Sequence, residues 1–203
     1  MAQKITTIFT DIGGVLLTNG WDHVSREIGI EKFKLVAAEI NERHHLVYDT
    51  FESGNMPLDE YLDYTVFYEP RNFSKEDFIN YMYSCSQPYH EMLDLMRYYK
   101  KQYGVKIIAL SNEGREVNEH RINAFKLNEF IDCFVSSCYV HLRKPDEAIF
   151  KLAIDIVQTP LEHCIYIDDR SVLVQVAARY GLNGIVHENY ETTKQQLDAL
   201  ICH

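Results

Sequence analysis

From Tyr89 onward the chain alternates short apolar runs with stretches whose apolar residues recur at helical spacing, and this alternation restricts it to a parallel sheet joined by crossover helices. The strand candidates are VKIIAL (105–110), a run at Cys133–Ser136, CIYI (164–167) and NGIVH (183–187). Between them, Met92, Leu93, Met96, Tyr99 and Tyr103 stripe one helix, which Gly104 ends, and a polar helix runs from about Glu113 to Leu127. Arg143-Lys144-Pro145 opens the amphipathic helix DEAIFKLAIDIV, and Val172, Leu173, Val176, Ala177 and Tyr180 stripe another, closed by Gly181. A last helix ends at Leu200-Ile201.

One further apolar run lies at the front, in KITTIFTDIGGVLL (Lys4–Leu17). Ile5, Thr6, Thr7, Ile8 and Phe9 read as a buried strand that delivers a single carboxylate, Asp11, to a bend made by Gly13 and Gly14. A carboxylate there costs free energy unless it is paired or hydrogen-bonded. Between Trp21 and Pro88 the period is helical throughout. Phe33, Val36, Ala37 and Ile40 mark one face, Leu58, Tyr61, Leu62 and Thr65 a second, and Phe78, Ile79 and Met82 a third. Gly54, Pro57, Pro70 and Pro88 punctuate them, and Ser74 with Asp77 three residues on has the form of a capped helix start. The organisation expected is an α/β core from residues 1–17 and 89–203, with residues 18–88 inserted as a small helical subdomain.

Three strands thus end in polar groups on one sheet edge: Asp11, Ser111 and Asp168-Asp169. Ligands of open parallel sheets bind outside the carboxyl ends of the strands, so these residues converge although distant in sequence. Carboxylates from two strand ends suit Mg²⁺, a hard ion that takes oxygen ligands, and Lys144 with a hydroxyl suits phosphate oxygens. Each residue alone has a plainer reading. Asp11 could be a turn residue, Ser111-Asn112 and Asp168-Asp169 could cap the helices that follow, and Lys144 could be a solvated loop lysine. Arg170 reads as exposed, His44-His45 as lying on the surface of the helical insertion, and the insertion's tyrosines as packing between helices.

At these residues the chain resembles the haloacid dehalogenase (HAD) superfamily, specifically its small phosphatases with a helical cap after the first motif. FTDIGGVLL, IIALSN, RKPDEAIF and CIYIDDR match the four family motifs in order, and FESGNMPLDEY resembles that branch's cap. The resemblance implies a Rossmann-like parallel-sheet core and a Mg²⁺-dependent phosphomonoester hydrolase of a small phosphorylated metabolite, working through an aspartyl-phosphate. It implies that Asp11 is the nucleophile. The phosphate is held by Ser111, Lys144 and the amides of Ile12, Gly13 and Asn112, and Mg²⁺ by Asp11, the Gly13 carbonyl and Asp169, with Asp168 bound directly or through water. Two positions depart from the pattern. Gly13 replaces the second Asp that manages protons, and Leu173 stands where relatives often have an Asp or Asn. A residue such as Asp22, His44, His45 or Glu52 could supply the missing group from the insertion. The alternatives are a 2-haloacid dehalogenase-type hydrolase, whose branch also lacks the second Asp, and a phosphate-metabolite binder with impaired catalysis.

Composition excludes other classes. With 30 acidic against 20 basic residues and a formal charge of −10, the chain is a poor match for nucleic acid or an anionic membrane, so an anionic substrate needs a local site. No apolar run reaches the roughly 20 residues of a membrane span, and no leader pattern opens the chain, so a cytoplasmic location is expected, as a monomer or homodimer. Five cysteines (Cys85, Cys133, Cys138, Cys164, Cys202) without a C-x-x-C pair argue against a disulfide framework or zinc site.

Overall fold

The computed structural model describes residues 5–201; Lys4 and Cys202 lie outside them. A five-stranded parallel sheet runs in the order β3-β2-β1-β4-β5, with β1 Thr7–Thr10, β2 Lys106–Ser111, β3 Cys133–Ser136, β4 Cys164–Asp168 and β5 Asn183–Val186. Among the described residues ten α-helices connect or flank them: α1 His23–Lys32, α2 Ala37–Glu52, α3 Leu58–Thr65, α4 Lys75–Ser84, α5 His90–Tyr103, α6 Arg115–Ala124, α7 Ser137–Val140, α8 Glu147–Val157, α9 Ser171–Arg179 and α10 Tyr190–Ile201.

The two-residue period of the strands divides the sheet into two apolar faces. Ile8, Ile107, Ala109, Ile165 and Ile167 meet Met92, Met96 and Tyr99 of α5 and Leu197 and Ile201 of α10. Phe9, Ile108, Leu110 and Tyr166 meet Ile149, Phe150 and Ala153 of α8 and Leu173, Val174 and Ala177 of α9. Each fully buried large side chain contributes about 1.5–3 kcal/mol over its exposed state, so both faces are held firmly. Because the chain builds outward from β1 first through β2 and β3, then returns to add β4 and β5, the ends of β2 and β4 lie on either side of β1. That reversal is the crevice in which such sheets hold ligands.

Helices α1–α4 leave the core between β1 and α5 and gather around a third apolar centre of Phe51, Leu58, Tyr61, Leu62, Phe78 and Met82. The two connecting segments run side by side, with Leu17 bridged to Pro88 and Thr18 N donating to Gln87 O at 2.8 Å. Ser74 caps α4 with the reciprocal Asp77 bond of a capping box. Among the described residues no helix is long and apolar enough to cross a membrane.

Several expectations shift. The face Phe33–Val36–Ala37–Ile40 is not one helix: α1 ends at Lys32, Lys34 takes a left-handed φ of 54°, and α2 starts afresh at Ala37. Phe33 then packs on Phe73 and Phe78 while Val36 is exposed. The polar helix is shorter than expected, at Arg115–Ala124. Pro145 precedes α8 without opening it, since Asp146 is the N-cap, accepting from Ala148 N at 3.0 Å. On α9 Leu173 and Ala177 face the sheet as expected and Val176 and Tyr180 pack beside them, but Val174 is buried where Val172 was expected, and Val172 is exposed.

Candidate active site

The carboxyl ends of β1, β2 and β4 bring Asp11, Ser111 and Asp168 to one edge, all buried. Lys144, also buried, sits between the acids, its Nζ 3.0 Å from Asp11 Oδ2 and 2.7 Å from Asp168 Oδ2. Asn112 fixes the lysine's backbone from both sides: its Nδ2 donates to Lys144 O at 2.8 Å, and Lys144 N donates to its Oδ1 at 2.9 Å. That tether explains how a loop lysine is held in place without a helix or strand of its own. Tyr166, two residues before Asp168 and therefore on the same side of β4, accepts from Lys144 Nζ at 3.3 Å and donates to Asp168 Oδ2. Lys144's pKa rises because its two carboxylate neighbours outweigh burial. Burial pushes Asp11 up to about 6, against the opposing pull of Lys144. Lys144 also holds Asp168 below the usual carboxylate range against the effect of burial.

The two acids of the pair differ. Asp168 has no exposed surface, and both its oxygens are engaged, Oδ2 as above and Oδ1 by Arg170 N at 2.9 Å. Asp169 is partly exposed; its Oδ2 accepts from Asn19 Nδ2 at 3.2 Å, and its Oδ1 is shielded from solvent without a partner. Asp11, Asp168 and Asp169 each offer an oxygen within 4.8 Å of the others. An all-carboxylate donor set with one buried, unsatisfied oxygen fits a hard divalent cation. Gly14 makes this approach possible: at its φ of 71° a Cβ would fall 2.2 Å from Asp169 Oδ2.

The expected phosphate donors do not all stand free. Ile12 N donates to Asp11 Oδ1 at 2.7 Å, so this amide orients the carboxylate, and its expected role toward a ligand is taken by that bond. Gly13 borders the cavity; a Cβ there would lie 3.0 Å from Asn19 Oδ1 and 3.6 Å from Arg121 Nη1.

Arg121 is the residue that the sequence reading missed. It is 1 % exposed, pairs with Glu113 at 2.7 Å, and donates to Ser86 Oγ at 2.9 Å and Thr18 O at 2.6 Å, gripping both segments that lead to the insertion. Burial lifts Glu113 to about 7. The sequence carries no such signal, because α6 is a polar helix; only the fold shows Val117, Asn118 and Arg121 on one buried stripe, where an arginine needs a reason.

Above Asp11 lies a cavity of about 380 Å³ that includes Glu113 and Arg121 from the core and Trp21, Asp22, Arg26, His44, Tyr48 and Glu52 from the insertion. His44 is therefore not a surface residue. Its Nδ1 lies 2.7 Å from Tyr61 OH, its ring stacks on Tyr48, and burial pushes its pKa down to about 3. Of the four insertion residues considered as replacements for an acid at position 13, Asp22, His44 and Glu52 line this cavity and His45 does not. Arg170, also at its edge, is exposed. A larger cavity, about 650 Å³, opens on the other side of Asp169 between Pro88–Met92 and His187–Tyr190, and does not include Asp11.

Comparison with known proteins agrees with this fold. A HAD family enzyme of Bacteroides thetaiotaomicron, crystallised with magnesium and inorganic phosphate, superposes with a TM-score of 0.75 at 19% identity, over 93% of this chain and 98% of that one. Flavin mononucleotide hydrolase 1 of Arabidopsis thaliana is 26% identical over 161 residues, 78% of this chain and 63% of that protein. Acyl-CoA dehydrogenase family member 10 of Mus musculus is 33% identical over 70 residues, 34% of this chain. The chain thus spans only 63% and 6% of the lengths of these two curated relatives. The sequence model of the haloacid dehalogenase-like hydrolases matches residues 5–181, and the chain belongs to that family.

Proposed function

We propose that this protein is a Mg²⁺-dependent phosphomonoesterase of a small phosphorylated metabolite, with α1–α4 acting as a cap over the site. The observation that carries the reading is the ammonium of Lys144 held between Asp11 and Asp168, with Asp169 offering a carboxylate oxygen within 4.8 Å of theirs and leaving one buried oxygen unpartnered. Asp11 Oδ2 attacks phosphorus, the ester P–O bond breaks, and the leaving oxygen takes a proton from water. A water then attacks the phosphorus of the aspartyl-phosphate, releasing phosphate and restoring Asp11. Lys144 offsets the repulsion between carboxylate and phosphate dianion, and Ser111 and the Gly13 and Asn112 amides bind the phosphate oxygens. Mg²⁺ would be held by Asp11, the Gly13 carbonyl and Asp169 and would supply the remaining charge neutralisation. Asp168 serves chiefly to fix Lys144 and would hold the ion directly or through water. A metal-free dehalogenase gives Asp169 Oδ1 no role, which favours the phosphatase.

The test is hydrolysis of p-nitrophenyl phosphate and a panel of sugar phosphates and nucleotides. Flavin mononucleotide belongs in the panel because of the Arabidopsis relative. Turnover is expected with Mg²⁺, lost on chelation, and reduced by about 10³-fold or more in Asp11→Asn. Unchanged turnover in that variant would overturn the reading.

A further inference from the structure

Among the described residues, one half-buried cation of the cavity makes no ion pair, whereas Arg170 at its edge is exposed. Arg26, on α1, lines the space above Asp11. Its Nε is shielded from solvent without a hydrogen-bond partner. The acids beside it are engaged elsewhere. Asp22 Oδ1 caps α1 by accepting from Ser25 N at 2.8 Å, and Glu52 Oε2 accepts from Arg143 Nε at 3.0 Å. Arg121, the other buried guanidinium of the cavity, has its carboxylate in Glu113. Asp22, Glu27 and Glu52 lie near enough to act on its charge but none forms an ion pair with it, so the half-buried guanidinium keeps hydrogen-bonding capacity for an anion from outside.

A second donor stands near it. Trp21 Nε1 can only donate, and it does so to Tyr61 OH at 2.9 Å. The hydroxyl's own hydrogen can then go to His44 Nδ1, 2.7 Å away, an arrangement in which the imidazole proton sits on Nε2. His44 lines the same cavity and lies close enough to feel Arg26's charge. Trp21 and Tyr48 also line this cavity.

The geometry points to a subsite for a second anionic group: Arg26 and His44 bind a carboxylate or second phosphate on a substrate whose scissile phosphate lies at Asp11. This rests on the phosphatase reading and narrows it to phosphomonoesters of small acids or bisphosphates. The cavity's volume of about 380 Å³ suits compounds of that size. With the whole chain at −10, attraction for such a polyanion has to be local, and the paired Arg121 cannot provide it.

The experiment compares glycerol 3-phosphate, 3-phosphoglycerate and propane-1,3-diol bisphosphate. The first two differ only in a hydroxymethyl group against a carboxylate; the third carries a second phosphate. In the wild type, kcat/KM for one of the polyanions is expected to exceed that for glycerol 3-phosphate by about tenfold or more, and which one does so identifies the second group. The ratio falls to about one in Arg26→Gln and is partly kept in Arg26→Lys, which separates loss of charge from damage to the fold. A binding arm is independent of turnover. By calorimetry with Mg²⁺, Asp11→Asn binds the preferred polyanion more tightly than glycerol 3-phosphate, and Asp11→Asn/Arg26→Gln does not. Ratios near one for both polyanions in the wild type, or a preference that survives Arg26→Gln, would overturn the subsite. No hydrolysis of any compound alongside an Arg26-dependent binding preference would sink the hydrolase reading and leave the subsite standing.

Discussion

Gly13 is bordered by a guanidinium, and that decides what an acid there could do. Its φ is not in the left-handed region, so Asp is permitted by the backbone, and Asn19 need yield only a few tenths of an ångström. The new carboxylate would lie beside Arg121 and be held ionised, unable to give a proton to a leaving oxygen. Gly13→Asp is therefore expected to raise kcat on an alkyl phosphate by less than about tenfold, against the ~10²–10⁴ that a well-placed general acid contributes. His44 makes a second prediction. Its pKa is lowered from 6.5 to about 3, so the stability it contributes is present above the unfolded value and is lost as pH falls through that window. His44→Gln should lose less stability than the wild type between pH 7.5 and 5, measured by urea unfolding. Glu113 runs oppositely, raised from 4.5 to about 7, so its contribution is present below 4.5 and lost as pH rises through 7.

At the scale of elements, the Ser74–Asp77 box is the cleanest local device in the insertion, satisfying backbone donors at the start of α4. Ser74→Ala should lower stability by about 1 kcal/mol, read as a lower thermal midpoint, with turnover unaffected because α4 does not border the cavity. That box was legible in the sequence, as were the five strands, because each is written in neighbouring residues. The break between α1 and α2 was not. Phe33, Val36, Ala37 and Ile40 keep helical spacing by accident, while the stop is a left-handed Lys34 that carries no glycine to announce it. On α9 the run of valines and leucine fits two adjacent stripes, and only the sheet beneath selects Val174 over Val172. The polar residues at the ends of β1, β2 and β4 could be placed from strand order alone. Arg121 and Arg26 could not, since a charge on a polar helix is ordinarily solvated and their burial arises only when the insertion folds over the core.

The whole molecule is tied together at Arg121, which reaches from α6 to Thr18 and Ser86 while its charge is balanced by Glu113 inside the cavity. Arg121→Leu leaves a buried carboxylate without its partner and is expected to cost about 3–5 kcal/mol near pH 8. The loss should be smaller at pH 5.5, where Glu113, with its pKa near 7, is protonated, and Arg121→Leu/Glu113→Gln should recover part of it at pH 8. Urea titrations at both pH values check the pattern; equal losses at the two would contradict it. The paired segments have a consequence for descent. Leu17 and Pro88 are bridged, so the chain departs from the core and rejoins it about 5 Å apart, the spacing of neighbouring strands. A piece of chain with adjoining ends can be exchanged, shortened or recruited from elsewhere without moving β1 or α5. Any such change must keep a carbonyl and a hydroxyl where Thr18 and Ser86 now offer them for Arg121 to grip.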